Sequence, residues 1–124
     1  MASTDLNRPV VLVVDDEPLL RIYVADIIET AGYHVVEAIN ADEAMSILLA
    51  RSDIAFIFTD IEMPGTMNGL ELASAVRDRW PLIGLIITSG RYKPQEEDLP
   101  PGSWFLEKPL DEPQIKEALR SLAT

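Results

Sequence analysis

Short uncharged runs of apolar residues recur along the chain and predict the strands of a sheet. Three of these runs are rich in β-branched or aromatic residues, and they cover residues 10–14, 54–58 and 82–87. Because they do not alternate with polar residues, they are typical of central parallel strands covered by helices on both faces. Two weaker runs with polar members, residues 33–38 and 103–107, favour edge strands.

Amphipathic segments with helix-start signals lie between these runs. Apolar residues repeat at helical spacing after Pro18, and Gly32 supplies a stop signal. Three residue pairs have the spacing of capping boxes and predict the starts of further helices. The pairs are Asn40 with Glu43, Asn68 with Glu71, and Asp111 with Gln114. Strands that alternate with helices predict an α/β fold, a doubly wound parallel sheet with right-handed crossovers.

Residues 91–102 interrupt this alternation. A fourth helix is expected here, yet the segment contains three prolines and a glycine. Proline removes a backbone donor and clashes with the preceding helical turn, so a regular helix is disfavoured. The sequence predicts a surface loop with at most a single turn after Pro94, that is, an irregular or shortened fourth helix.

Length and composition bound the class of protein. The chain has 124 residues, 48% of them apolar, which suits one domain over residues 9–124 after a disordered lead-in over residues 1–8. The absence of cysteine excludes disulfide scaffolds, thiolate zinc sites and thiol nucleophiles. The formal net charge of −11 argues against binding to nucleic acid or to an anionic membrane, because both need clustered basic residues.

No targeting segment is visible in the sequence. The first nine residues are polar and lack the apolar stretch of a signal peptide. The longest apolar runs are also far shorter than the ~20 residues that span a bilayer. A cytoplasmic location is therefore expected.

Polar residues follow the predicted strands at the points where these strands end. In an open α/β sheet, ligands bind beyond the carboxyl ends of the strands, so these side chains are expected to converge. They are Asp15 and Asp16 after the first strand, Asp60 after the third, Thr88 and Ser89 after the fourth, and Lys108 after the fifth.

Three clustered carboxylates repel one another unless a cation neutralises them or some become protonated. Mg²⁺ is the natural cation, since it is a hard ion that prefers oxygen ligands and is often held together with a phosphate. A carboxylate, a hydroxyl, an ammonium and Mg²⁺ suit phosphoryl transfer. Asp60 would be the nucleophile, while Thr88 and Lys108 would each bind a phosphoryl oxygen.

Four motifs in order carry a resemblance to a known family. They are Val-Leu-Val-Val-Asp-Asp-Glu-Pro at 11–18, Thr-Asp-Ile-Glu-Met-Pro at 59–64, Ile-Thr-Ser-Gly at 87–90 and Phe-Leu-Glu-Lys-Pro at 105–109. With them the chain resembles the receiver domain of two-component response regulators, in particular single-domain, chemotaxis-type regulators. The resemblance covers about residues 10–122 and implies a five-stranded, flavodoxin-like sheet of order 2-1-3-4-5.

The resemblance also implies roles for individual residues. Asp60 would accept a phosphoryl group from a histidine kinase or phosphotransfer protein. Asp16 and Asp60 would bind Mg²⁺ directly, Asp15 through water, and Glu62 through its backbone carbonyl. The Lys108–Pro109 bond would be cis. Thr88 and Phe105 would form the switch, in which an aromatic ring turns inward as the threonine moves toward the phosphate.

The sequence departs from the family in three places. The stretch between Pro64 and Gly69 is one residue longer than usual, which predicts either a differently shaped loop or a tolerated insertion. The segment 91–102 replaces a regular helix, which leads to the hypothesis of a mobile segment that orders on phosphorylation or partner binding. Phe105 lacks the hydroxyl of a tyrosine, so any switch there depends on packing.

These observations favour a phosphorylation-dependent signalling switch and not a metabolic enzyme, with self-catalysed phosphorylation and dephosphorylation of Asp60 as its chemistry. A free-standing regulator with an unknown downstream protein is favoured over a receiver excised from a larger protein. Two alternatives stay open: a receiver-fold adaptor that acts without phosphorylation, and a Mg²⁺-dependent phosphohydrolase in which Glu62 would be the second acid.

Overall fold

Five strands and four helices alternate along the chain in this computed structural model, which describes residues 8–123. Strands β1–β5 span Val10–Val14, His34–Ala38, Ile54–Asp60, Gly84–Ser89 and Trp104–Glu107. Helices α1–α4 span Pro18–Thr30, Ala41–Ala50, Gly69–Arg79 and Glu112–Ala123, and a 3-10 turn covers Glu96–Asp98. The predicted disordered lead-in, residues 1–8, lies outside the described residues except for Arg8.

The strands form one parallel sheet in the order β2-β1-β3-β4-β5. This arrangement confirms the predicted flavodoxin-like order. The chain order reverses at β1, so that β1 and β3 lie side by side and their carboxyl ends open into the same crevice. In the register of β3 and β4, Asp60 lies opposite Thr88.

Helices cover both faces of the sheet, and the residues of β1 show how. Val11 and Val13 are buried on the face covered by α1 and α4, whereas Leu12 and Val14 are buried on the face covered by α2 and α3. Side chains of a strand alternate between faces, so an uncharged run is needed wherever both faces are covered. None of the helices within residues 8–123 has the length and apolar character to cross a membrane.

Hydrogen bonds cap the N-termini of three helices largely as the sequence predicts. Two of the three predicted capping boxes form completely, at the starts of α3 and α4. At α2 the Asn40 side chain accepts a hydrogen bond from the Glu43 N–H at 2.8 Å. The Glu43 carboxylate, however, accepts from Ile39 and not from Asn40, so this third cap is shifted by one residue.

Predicted strand boundaries are wrong by two residues in β3 and β4, and the two edge strands each begin one residue later than predicted. Leu82, placed at the start of the fourth strand, is 97% exposed and precedes β4. The Ile83 N–H donates to the Trp80 carbonyl in a turn, which delays pairing with β3 until Gly84. The third strand extends two residues beyond its apolar run, so that Asp60 is the last residue of β3.

The segment 91–102 contains a single 3-10 turn and no regular helix. The prediction of an irregular or shortened fourth helix is confirmed. Leu99 packs against the core on the α2 and α3 face, and Pro100 is buried, so the end of the segment is anchored to the domain. Ordering of this segment on phosphorylation stays a prediction.

Candidate functional site

The carboxyl edge of the sheet collects buried polar side chains. Within residues 8–123, the buried polar or charged residues are Asp15, Thr59, Asp60, Thr88 and Ser89. Each of them lies at the end of a strand or directly after one. Burying polar groups costs free energy unless they find partners, so this concentration at one edge marks a candidate site.

Three carboxylates meet at this edge. Oxygen atoms of Asp15, Asp16 and Asp60 lie within 4.8 Å of one another; Asp15 and Asp60 are buried and Asp16 is exposed. The loop after β1 places the pair, because the Asp15 N–H donates to the Ala38 carbonyl at 3.1 Å. The Glu17 N–H in turn donates to Asp15 Oδ1 at 2.9 Å.

Lys108 reaches the same cluster from the other side. Its Nζ lies 3.1 Å from Asp60 Oδ2, and its backbone N–H donates to the Ser89 carbonyl at 2.9 Å. The Lys108–Pro109 peptide bond is cis, as expected. The structure therefore places the ammonium of Lys108 and the hydroxyl-bearing residues of β4 on the same side of Asp60.

The electrostatics of the cluster favour an additional positive charge. Burial raises the pKa of Asp60 to about 6, although the hydrogen bond and charge of Lys108 oppose this shift. Burial also raises the pKa of Asp15, and the neighbouring Asp16 adds to the increase. The pKa of Lys108 is raised, because its bond to Asp60 outweighs the effect of its own burial. Three carboxylates that face one ammonium form a donor set suited to a hard divalent cation.

Thr88 has a buried hydroxyl for which the described part of the chain offers no hydrogen-bond partner. The residue is 1% exposed and pairs with Asp60 in the β3–β4 register. An unsatisfied buried hydroxyl costs roughly 1–3 kcal/mol, so it marks either strain or a missing ligand. Phe105 pairs with Ile87 on the adjacent strand, and its ring is half-buried against the α2 and α3 side of the core.

The loop after β3 is closed by the first residue of α3. The Gly69 N–H donates to the Ile61 carbonyl, and a Cβ at Gly69 would overlap the carbonyl oxygen of Asp60. The longer stretch before it turns at Gly65, whose φ is +114°, and is tied to α2 by a 2.7 Å hydrogen bond from the Thr66 hydroxyl to Asp42. The extra residue is thus absorbed away from Asp60.

The sequence assigned Glu62 a backbone role toward the cation and, in the phosphohydrolase alternative, the role of a second acid, but it did not predict the contacts that the side chain makes. The carboxylate accepts hydrogen bonds from the Ser89 hydroxyl at the end of β4 and from three backbone N–H groups of the connection after β4. Although partial burial opposes ionisation, these bonds lower the pKa of Glu62 to about 2. No local motif signals these contacts, because the donors lie 27 to 30 residues further along the chain.

Arg21 is a second residue that the sequence did not single out. Its Nη1 donates to the Asp15 carbonyl at 3.0 Å, and its Nε donates to Glu37 Oε1 at 2.8 Å. The side chain therefore ties α1 and β2 to the loop that carries the acidic pair. An arginine one turn into a helix is too common a feature to predict this contact.

Fold and site together define a flavodoxin-like domain with a cluster of three carboxylates and one lysine at the carboxyl edge of its sheet. Residues 11–120 match the family described as the response regulator receiver domain. The chain belongs to this family.

Similar proteins agree with this assignment. The nitrogen assimilation regulatory protein NtrX of Azorhizobium caulinodans is 37% identical over 81 residues, which are 64% of this chain but 18% of that protein. A response regulator receiver protein from Sinorhizobium medicae has a TM-score of 0.87 at 26% identity, covering 94% and 95% of the two chains. The Thermotoga maritima regulator TrrA, solved with Mg²⁺ and BeF, has a TM-score of 0.81 at 28% identity over 92% and 98% of the chains.

Proposed function

We propose that this receiver domain works as a phosphorylation switch with Asp60 as its phosphoryl acceptor. One observation carries the proposal: the buried Asp60 carboxylate faces the acidic pair on one side and the Lys108 ammonium, 3.1 Å away, on the other. Asp60 Oδ1 receives only a long hydrogen bond, at 3.4 Å, from the Glu62 N–H. A carboxylate that is buried but weakly solvated by the protein is suited to nucleophilic attack.

The phosphoryl donor is a phosphohistidine of a histidine kinase or phosphotransfer protein. In the transfer, an oxygen of Asp60 forms a bond to phosphorus while the bond from phosphorus to the imidazole nitrogen breaks, and its electron pair stays on that nitrogen. Lys108 binds one oxygen of the transferred group and Thr88 donates its hydroxyl to another. Both residues thereby stabilise charge that develops during the transfer.

The acidic cluster fits Mg²⁺ by its chemistry, since carboxylate oxygens of Asp15, Asp16 and Asp60 converge within 4.8 Å. Asp16 and Asp60 would bind the ion directly, Asp15 through water, and Glu62 through its backbone carbonyl. When bound, Mg²⁺ supplies charge neutralisation for the phosphoryl oxygens. The TrrA structure with Mg²⁺ and BeF supports this choice of ion.

The unpaired Thr88 hydroxyl connects the chemistry to signalling. A phosphoryl oxygen on Asp60 would be an acceptor for this buried group, so phosphorylation favours a conformation in which Thr88 has moved toward Asp60. Phe105, on the neighbouring strand, would follow by repacking. The altered surface would be recognised by a downstream protein. The expected absence of nucleic-acid and membrane partners and the cytoplasmic location stay predictions.

Intact mass measures the proposed chemistry directly. The protein is incubated with acetyl phosphate and Mg²⁺, and compared with Asp60→Asn and with Asp53→Asn, an exposed control at the opposite end of β3. We expect one phosphoryl adduct in the unaltered protein and in Asp53→Asn. The adduct should be missing in Asp60→Asn and after addition of EDTA before the donor.

Two results would argue for the alternatives. Failure to form the adduct with acetyl phosphate and also with a phosphorylated histidine kinase domain would favour an adaptor that acts without phosphorylation. Steady release of phosphate from many phosphoesters would favour a phosphohydrolase.

A further inference from the structure

The Glu62 carboxylate bridges the two loops on either side of the candidate site. Its Oε2 accepts hydrogen bonds from the Ser89 hydroxyl at 2.8 Å, the Arg91 N–H at 3.1 Å and the Tyr92 N–H at 2.7 Å. Its Oε1 accepts a bond from the Gly90 N–H at 3.3 Å. Three successive backbone N–H groups around one carboxylate form an anion-binding concavity of the nest type.

The position of this carboxylate connects the site with the segment that replaces the fourth helix. Glu62 lies two residues after Asp60, and its partner Ser89 directly follows Thr88. The end of β4 is held from both neighbouring strands, because the Thr88 carbonyl accepts from Ile61 and the Ser89 carbonyl from Lys108. Beyond Ser89 the chain leaves the sheet, and the next backbone groups are bound by Glu62.

The remainder of this segment has few contacts that would hold its first half. Lys93 forms an exposed ion pair with Glu107, and the 3-10 turn is closed by bonds between Gln95 and Asp98. At the other end of the segment, Leu99 packs against the core and Pro100 is buried. Exposed ion pairs contribute little to stability. The first half of the segment is therefore held mainly by the donors that meet at Glu62 and by the Ser89 hydroxyl, which also lies within hydrogen-bond distance of the Tyr92 carbonyl.

We propose that Glu62 is a positioning residue whose carboxylate latches the segment 90–98 onto the loop that directly follows Asp60. The latch is a property of the unphosphorylated protein. Its consequence rests on the proposed function: a phosphoryl group on Asp60 changes the position of the segment through Glu62 and Ser89. Because such coupling is reciprocal, opening the latch also changes how tightly the site holds a phosphoryl group.

Amide hydrogen exchange of the full chain tests the latch itself. Glu62→Gln keeps the size of the side chain but removes its charge and one of its two acceptor oxygens. Ser89→Ala removes one donor to Glu62 together with the contact to the Tyr92 carbonyl. Glu97→Gln is the matched control, since Glu97 is an exposed acid in the same segment.

We expect exchange at residues 90–92 to accelerate about tenfold in Glu62→Gln and less in Ser89→Ala, because charge-assisted hydrogen bonds are lost. It should be unchanged in Glu97→Gln. Unaltered exchange in Glu62→Gln, with thermal unfolding confirming the fold, would overturn the latch.

The coupling is tested by adding Mg²⁺ and beryllium fluoride, which stands in for the phosphoryl group. In the unaltered protein and in Glu97→Gln, exchange across 90–98 should change on addition. In Glu62→Gln and Ser89→Ala this response should fall to less than about half. An equal response in all four proteins would overturn the coupling. A loss confined to Glu62→Gln would overturn it too, because Glu62 would then act on the site directly and not through the segment.

The same experiment separates failure of this inference from failure of the proposed function. Binding of beryllium fluoride is followed by fluorine NMR. If the fluoride complex does not bind to the unaltered protein, the proposed function and the coupling both fail. The latch is judged independently by exchange at residues 90–92 without any additive.

Discussion

Two carboxylates that stand two positions apart, Asp60 and Glu62, have opposite environments. Burial is the largest influence on the pKa of each. For Asp60 it prevails over the bond from Lys108, and the pKa rises to about 6. For Glu62 it is outweighed by hydrogen bonds from Tyr92 and its neighbours, and the pKa falls to about 2. The difference comes from donors: four groups converge on one carboxylate, while the other receives one ammonium and a distant N–H.

Two carboxylates only two positions apart therefore serve different purposes, one in the chemistry of the site and the other in holding chain segments together. The Glu62 carboxylate is saturated by hydrogen bonds, so it holds chain segments together and has little capacity for another ligand. The Asp60 carboxylate keeps unsatisfied lone pairs in a buried place, which destabilises the resting protein but leaves the group available for a cation and a phosphoryl group. Functional sites commonly carry such a cost in stability.

The largest expected effect comes from removing the ammonium that partly satisfies Asp60. Lys108→Ala should slow phosphorylation by acetyl phosphate about 100-fold, because a preorganised cation no longer stabilises the transferred oxygens. Rates are measured by intact mass against time. Lys116→Ala, which removes a lysine paired with Glu112 on α4, is the control and should leave the rate unchanged. A similar rate in both variants would contradict the role of Lys108.

Asp60→Asn should increase stability at neutral pH in EDTA. The folded pKa of about 6 lies above the usual 3.8, so the native state binds more protons than the unfolded state between these values. The unaltered protein therefore loses stability as the pH rises from about 4 to about 6, by roughly 1–2 kcal/mol after screening. Urea unfolding across this range should show the loss, and Asp60→Asn should not. An exposed control, Asp26→Asn, should retain it.

Glu62→Gln should have the opposite effect on stability, of roughly 1 kcal/mol at pH 7 because the side chain is partly exposed. Its folded pKa of about 2 lies below the usual 4.5, so the contribution of Glu62 is present above pH 4.5 and is lost as the pH falls toward 2. The difference between the two proteins in urea unfolding should thus narrow on acidification. A difference that is constant with pH would contradict the assigned environment.

Arg21→Ala should have the smallest effect. It extends the comparison to Asp15, the other buried carboxylate of the site. Arg21 binds the backbone carbonyl of Asp15, which secures the loop without occupying the carboxylate. Its loss should lower the free energy of unfolding by about 1 kcal/mol, as expected for a charge-assisted hydrogen bond. Arg51→Ala, which breaks an exposed pair with Asp53, should change stability less. An equal loss of unfolding free energy in both variants would mean that the hydrogen bond from Arg21 to the Asp15 carbonyl does not contribute to stability.

Much of the fold was predictable because its signals are local. The uncharged run at 10–14 requires helices on both faces of β1, and the paired polar residues at 68 and 71 define the start of α3. Proline content was enough to exclude a regular helix over 91–102. Leu82 was misplaced because hydrophobicity alone does not reveal a turn, which the contact from Ile83 to Trp80 decides.

The candidate site was predictable only in part. Strand ends identify Asp15, Asp16, Asp60, Thr88 and Lys108, since parallel strands bring their carboxyl ends to one edge. The side-chain role of Glu62 was missed, because a carboxylate two residues after Asp60 has no local partner. Arg21 was missed for the same reason, as its acceptor lies on another element.

By itself, the sequence determined the alternation of strands and helices, the edge of the sheet where chemistry is placed, and the family. These follow from periodicity, caps and motifs that span a few residues each. Only the tertiary structure decided that the Glu62 carboxylate is saturated with hydrogen-bond donors and that the Asp60 carboxylate has few of them. The deciding contacts join residues 27 to 48 positions apart, such as Ser89 to Glu62 and Lys108 to Asp60, and depend on how the sheet brings distant loops together.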